Sequence, residues 1–130
     1  GAATARLFGK EGYKLVLAAR RLAKLQELAE DIKNKGGDAI AVKTDLTRQE
    51  DIEQLVNITI SHFGYLDILF NNAGFGRIDW LEKLSPQEDI IEQIGVNLIG
   101  LILLVKAFVN LPFGKTLILN LSWFLVRVKK

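Results

Sequence analysis

The sequence has no cysteine, no methionine, one histidine (His62) and two prolines in 130 residues. Without cysteine there are no disulfides or thiolate metal sites, and one histidine excludes a histidine-rich metal centre. Lys and Arg number 17 against 15 Asp and Glu, a formal charge of 17 − 15 = +2. So small an excess argues for neither nucleic acid nor an anionic membrane surface as partner. Repeats, linkers and low-complexity segments are lacking as well. The longest run without a polar side chain, residues 98–105, is closed by Lys106. It falls short of the roughly 18 residues that a membrane span takes, so it reads as a buried helix segment. Residues 1–14 carry no continuous apolar stretch of the secretory kind. That, with the missing cysteine, fits the cytoplasm. With no initiator Met the chain reads as a fragment.

Hydrophobic residues make up 49% and charged residues 25%, the balance of an ordinary globular domain and too apolar for disorder. The length allows one domain at most, expected here as a single partial domain over residues 1–130.

Apolar β-rich runs alternate with amphipathic helical segments. Residues 14–20 (KLVLAAR) read as a buried strand after a turn at Gly12. A helix over residues 21–35 follows, with Leu22, Leu25, Ala29 and Ile32 on one stripe and Lys24, Glu27, Asp31 and Lys35 opposite. Gly36-Gly37 stops it, and residues 39–44 form a second strand. Thr47-x-x-Glu50 has the form of a capping box opening a helix through Phe63, with Ile52, Leu55, Val56, Thr59 and Phe63 facing inward and Gly64 at its end. Residues 66–71 (LDILFN) are the third strand.

Ser85-Pro86-Gln87-Glu88 then marks a helix start, with a capping Ser, Pro at the first helical position and Glu three residues on. That helix is expected to reach about Asn110, with Ile91, Ile94, Leu98, Leu101, Val105 and Phe108 on one stripe. Residues 117–121 are the fourth strand, and the tail 123–130 has no assignment. His62 reads as a partner of its helix's C-terminal dipole, Trp80 and Trp123 as packing residues, Tyr13 and Tyr65 as turn residues. Strand–helix–strand alternation with short connections implies parallel strands with right-handed crossovers. Nearly continuous apolar strands imply helices on both faces, hence a doubly wound α/β sheet.

In such sheets ligands bind beyond the carboxyl ends of the strands. There stand Arg20-Arg21, Asp45-Leu46, Asn71-Asn72-Ala73-Gly74 and Ser122. Loops are polar in any case, so composition alone decides nothing. Phe70-Asn71-Asn72-Ala73-Gly74, however, resembles the signature of the short-chain dehydrogenase/reductase family. Leu17-Ala18-Ala19-Arg20-Arg21, Asp45-Leu46-Thr47 and Val96-Asn97-Leu98 match in the expected order, and Gly1-Ala2-Ala3-Thr4-Ala5 is similar to the end of the family's glycine-rich loop. The resemblance covers nearly everything from Gly1 to Ser122.

It implies a Rossmann-like three-layer fold and NAD(P)-dependent oxidation of a secondary alcohol or reduction of a carbonyl. Gly1 and the small alanines after it would let a helix N-terminus approach a pyrophosphate, although helix propensity alone explains such a start. Ala19 stands where NAD-preferring relatives carry an acid. With that acid absent, Arg20, assisted by Arg21, would meet a 2′-phosphate, which makes NADP the expected cofactor and NAD the second choice. Arg21 reads equally well as a surface residue opening a helix. Asp45 would accept from the adenine amino group while Leu46 lines the pocket, and Asp45 also suits local turn-making. Asn72, Ala73 and Gly74 would pass close to the cofactor. Asn97, a poor helix-interior residue between Gly95 and Gly100, corresponds to the asparagine whose backbone carbonyl holds a relay water; a solvated Asn in an irregular helix is the plainer account.

The family's Tyr-x-x-x-Lys does not occur in these residues. Asn120-Leu121-Ser122-Trp123 resembles the family's Asn-Ile-Ser-Ser, with Trp123 in place of the usual catalytic serine and Ser122 as a substitute that would point differently along the strand. The short connection 110–115 and the tail suggest a frameshift or a premature end. The resemblance also puts one strand before Gly1, central in the sheet between residues 14–20 and 66–71, so that two strand edges face a gap and the isolated chain is expected to fold marginally and bind cofactor poorly, as an inactive fragment. The parent is expected to be a homo-oligomer pairing through residues 85–110, with a small-molecule substrate, no nucleic acid and no membrane span. The rival readings are a non-catalytic nucleotide-binding or interaction module and, last, a methyltransferase-type domain.

Overall fold

The computed structural model describes residues 1–77, 79–109 and the backbone of 117–120. In chain order they form α1 (Ala2–Lys10), β1 (Lys14–Ala19), α2 (Leu22–Asn34), β2 (Asp38–Lys43), α3 (Gln49–Phe63), β3 (Ile68–Asn71), α4 (Pro86–Val109) and β4 (Leu117–Asn120). β1 and β2 run parallel, from Lys14 opposite Asp38 to Ala19 opposite Lys43. β3 and β4 do the same, from Ile68 opposite Leu117 to Asn71 opposite Asn120. β1 and β3 are not hydrogen-bonded to each other, so the described strands make two parallel pairs with an interruption between them. The family resemblance leads to the expectation of that interruption.

Period-two alternation sorts the core into two faces. Leu15 and Leu17 of β1 and Ala39 and Ala41 of β2 meet Leu25, Ala29 and Ile32 of α2, together with Ala5 of α1. Val16 and Val42 take the other side, with Ile52, Leu55 and Val56 of α3, Leu104 and Phe108 of α4, and Leu69 of β3. Helices therefore cover both faces, the doubly wound, Rossmann-like α/β arrangement. α1 also reaches from the first strand pair to the second, its Phe8 ring standing edge-on 6.1 Å from that of Phe70. The inward stripes expected of α2 and α3 are the ones observed, and Gly64 takes the positive φ (85°) that stops α3.

Four expectations are corrected. Thr47 does not cap α3, which begins at Gln49. Its N–H and its hydroxyl both donate to Asp45 Oδ1, at 3.0 and 2.7 Å, and Asp51 rather than Glu50 accepts the Asp45 N–H, at 2.8 Å. A carboxylate two residues back outcompetes the helix amides for a short hydroxyl. The third strand begins at Ile68, two residues late. Trp80 is 70% exposed and packs nothing in.

The fourth correction concerns α4. Its cap is as expected, Ser85 Oγ accepting the Glu88 N–H at 3.4 Å, but the reciprocal acceptor is Asp89, which takes the Ser85 N–H at 2.8 Å. Pro86–Ile91 and Gly95–Gly100 are wound as π-helix, with Glu92–Ile94 as an α-helical segment between them. In α-helix, residues five apart diverge by about 140° around the axis, whereas i→i+5 winding brings them together. The stripe predicted at α-helical spacing therefore splits. Ile91, Ile94 and Leu98 lie about half exposed, and the buried line is Val96, Gly100, Leu104 and Phe108. The run 98–105 is accordingly only partly buried, Ile99 and Ile102 remaining more than half exposed. By length and composition alone Pro86–Val109 is apolar enough to cross a membrane, contrary to expectation. Its buried line nonetheless packs on α3.

The loop after β3 is tied to the start of α4. Arg77 Nη1 meets Asp89 Oδ1 at 2.6 Å, and the Arg77 N–H donates to Gln93 Oε1 at 3.3 Å. The Ser85 N–H bond, with the Arg77 guanidinium second, holds the Asp89 carboxyl below its ordinary value of 3.8. A lowered folded-state pKa stabilises above the unfolded value and ceases to do so as pH falls through the folded one. Protection of the amides of residues 75–77, relative to their intrinsic exchange at each pH, is thus expected to fall as pH drops below about 3.8, and Asp89→Asn to remove that loss. Protection that does not change with pH in the wild-type chain would refute the tie. Two glycines of α4 give a second prediction. A Cβ on Gly100 would stand 2.6 Å from the Leu46 carbonyl oxygen, whereas one on Gly95 meets nothing nearer than Thr47 Cγ2 at 3.7 Å. Gly100→Ala should destabilise by about 1–3 kcal/mol through overpacking. Gly95→Ala, in open helical backbone, should stabilise by about 0.5–1 kcal/mol. Urea unfolding of the two variants checks the opposite signs.

Candidate functional site

The carboxyl ends of β1, β2 and β3 and the polar edge of α4 converge. Arg20, directly after β1, places its guanidinium carbon 6.0 Å from the centre of the Phe75 ring, and its Nη1 lies 3.3 Å from Glu92 Oε1. A guanidinium over an aromatic face is held by the ring's quadrupole while its edge N–H groups remain available. Arg20 also acts electrostatically on Asp45. Burial opposes ionisation of Asp45, but the hydrogen bonds from Thr47 and the charges of Arg20 and Arg48 outweigh it, so its carboxyl is held below the ordinary range. Asp45 is thus an anion at neutral pH, one oxygen engaged by Thr47.

Arg20, Leu22, Lys43, Asp45 and Arg48 line an open cavity of about 450 Å³ at this end of β1 and β2. Arg21 stands at the N-cap of α2, exposed. Arg48 leans toward α3, 3.8 Å from oxygens of Glu50 and Asp51.

Beyond β3 the loop is gripped by one amide. Asn97 Oδ1 accepts the Phe75 N–H at 3.1 Å, and Asn97 Nδ2 donates to the Phe75 carbonyl at 2.7 Å. Asn97 lies within the π-wound stretch Gly95–Gly100, the irregularity expected there. A Cβ on Gly74 would stand 3.1 Å from Asn97 Oδ1, so a side chain there would push the amide back by a few tenths of an ångström. On the other side of the loop, a Cβ on Gly1 would come within 3.0 Å of Asn72 Nδ2, which sets the N-terminus of α1 against the same segment. Leu46 passes under Gly100. Ser122 and Trp123 lie outside the described residues.

Arg20 thus neighbours Asp45 and Phe75, Asn97 holds Phe75 and lies against Gly74, Gly1 lies against Asn72, Leu46 lies under Gly100, and Arg21 stands aside. Sequence reasoning missed Phe75, Glu92, Arg48 and the side-chain role of Asn97. The only hint of the last was an amide in a helix interior between two glycines. Among the described residues no cluster of side chains could hold a metal ion. A cation on a ring beside an ionised acceptor suits an anion and a hydrogen-bonding base carried on one ligand.

A profile of the short chain dehydrogenase family matches residues 1–121. An uncharacterized oxidoreductase of Listeria monocytogenes is 44% identical over 103 residues, covering 78% of this chain and 41% of that protein. An alcohol dehydrogenase of the archaeon Thermococcus sibiricus, complexed with 5-hydroxy-NADP, superposes with a TM-score of 0.78 at 32% identity, over 85% of this chain and 48% of the other. A metagenomic short-chain oxidoreductase in complex with NADP gives a TM-score of 0.78 at 35% identity, over 84% and 49%. The chain spans about two-fifths or less of the length of the curated relatives it matches. By profile, by sequence and by fold, it belongs to the short chain dehydrogenase family.

Proposed function

We propose that this chain forms, as a single partial domain, the adenosine side of the dinucleotide site of an oxidoreductase that interconverts a secondary alcohol and a carbonyl compound, with NADP preferred over NAD. The observation that carries the reading is Arg20: a guanidinium at the carboxyl end of β1, after Ala19 instead of an acid, seated on the Phe75 ring beside the ionised Asp45. The complexes of two relatives with NADP or a derivative of it support the same choice. When bound, the nicotinamide supplies or takes the hydride; the residues of this chain hold and orient.

Arg20 engages the 2′-phosphate in competition with Glu92, and Arg21, exposed at the N-cap of α2, stands by to assist. Asp45, with Oδ1 given to Thr47, offers Oδ2 to the adenine amino group, and the Leu46 backbone lines the pocket. Gly1 and the first turn of α1 face the pyrophosphate, and Asn72, Ala73 and Gly74 pass along the dinucleotide. Because the Asn97 side chain is spent on Phe75, its backbone carbonyl in π-wound helix is the group left to hold a water; Ser122 follows β4 as the remaining polar candidate. The half-exposed Ile91, Ile94, Leu98, Ile99 and Ile102 form the face through which the whole protein pairs with its own copy.

Calorimetric titration separates the cofactors. Arg20→Ala should weaken NADP by about 10- to 100-fold, the worth of a charge-assisted contact, and change NAD less than about twofold. Equal affinity of the wild-type chain for both would overturn the preference. Asn97→Leu leaves the Phe75 N–H and carbonyl without partners, a cost of about 1–3 kcal/mol. Hydrogen exchange at residues 74–76 should rise accordingly, and unchanged exchange would dismiss the clamp.

A further inference from the structure

α4 presents a polar seam to the loop after β3, and three of its members have structural duties. Asp89 and Gln93 hold Arg77, and Asn97 holds Phe75. Glu92 is the exception: its carboxylate turns to Arg20, the end of a different strand. Arg20 thus meets an aromatic face on one side and an anion at one edge, Nη1 to Glu92 Oε1 at 3.3 Å. Both side chains are partly exposed, 57% for Arg20 and 36% for Glu92. Such a pair is worth little to stability. Its effect on a third charge arriving at the same guanidinium is larger, because two anions sharing one cation lie within a Debye length of each other, about 8 Å at physiological salt.

We propose that Glu92 is the specificity-setting counter-charge of Arg20: it neutralises the guanidinium in the free protein, and a 2′-phosphate must compete with it for the same group. The inference rests on the reading of Arg20 given above and adds a second residue to it. A phosphate monoester carries about −1.5 to −2 at neutral pH, so it is repelled by the Glu92 carboxylate while a bare 2′-hydroxyl is not. Glu92 therefore narrows the preference for the phosphorylated cofactor that Arg20 creates.

The test uses 2′,5′-ADP and 5′-AMP, which differ only in the 2′-phosphate, titrated calorimetrically into the full 130-residue chain. Glu92→Gln keeps an oxygen for Arg20 Nη1 and removes the charge. It should tighten 2′,5′-ADP by about 3- to 10-fold and leave 5′-AMP within about twofold. The gain should shrink in 0.5 M salt, about three times the ionic strength at which the Debye length is 8 Å. Glu92→Asp, one methylene shorter, should give a smaller gain in the same direction, and the gain from Glu92→Gln should shrink when Arg20 is Ala, where only the direct repulsion is relieved. A purely structural bridge predicts no gain from Glu92→Gln, since the hydrogen bond survives. If Arg20→Ala abolishes the preference for 2′,5′-ADP while Glu92→Gln does nothing or loosens binding, the role of Glu92 is refuted and that of Arg20 stands. If Arg20→Ala changes neither ligand, both are refuted.

Discussion

The two hydrogen bonds between the Asn97 amide and the Phe75 backbone are the constraint on which the site depends. A loop leaving a strand has amides and carbonyls without ladder partners, and each left bare in a partly buried place costs free energy. One asparagine satisfies a donor and an acceptor of the same residue, so the loop is held in translation and in rotation. The Phe75 ring is thereby fixed, and Arg20 rests on it. Gly74 completes the grip, since a Cβ there would crowd the amide oxygen. A change at Asn97 therefore propagates to a cation on another strand without touching it.

The clamp in turn requires the unusual winding of α4. Asp89, Gln93 and Asn97 recur every four residues and all face the loop between β3 and α4. In α-helix that spacing drifts around the axis; in a helix that is partly π-wound it stays nearer one line. The same winding aligns Val96, Gly100, Leu104 and Phe108 toward α3 and β2. Gly100 is where the backbone of α4 comes down on Leu46, so the loop after β2 and the loop after β3 are both positioned by this one helix. The apolar residues displaced from the buried line, Ile91, Ile94 and Leu98 among them, are left on the outer face.

The sequence was legible where local rules and tertiary packing agree. α2 and α3 show their inward stripes because every buried residue falls at α-helical spacing, and β1 and β2 show theirs because both faces are covered. The positions after the strands were legible too, since the chain must leave a parallel sheet at its carboxyl edge. Thr47 was misread because capping-box and Asx-turn patterns share residue types, and only the position of Asp45 decides between them. The α4 stripe was misread because nothing in the amino-acid pattern announces i→i+5 winding. The partners of Arg20 were out of reach for another reason: Phe75 and Glu92 lie 55 and 72 positions away, and no periodicity links them.

Asp45 shows how one carboxylate can hold a turn and, under the proposed function, still serve a ligand. Its Oδ1 closes the turn by accepting twice from Thr47, while its own N–H is fixed by Asp51 at the start of α3. Both contacts orient the side chain before any ligand arrives, and the charges of Arg20 and Arg48 help to keep it ionised despite its burial. Oδ2 takes no hydrogen bond from another group among the described residues, so it can accept from an amino group without dismantling the turn. The acceptor is thus preorganised, which lowers the entropy lost on binding. Arg20 is positioned by the opposite strategy, a soft stacking contact and one exposed ion pair that a stronger anion can displace. Under the proposed function, a fixed acceptor for the base and an exchangeable cation for the phosphate would divide the work between adenine recognition and cofactor choice.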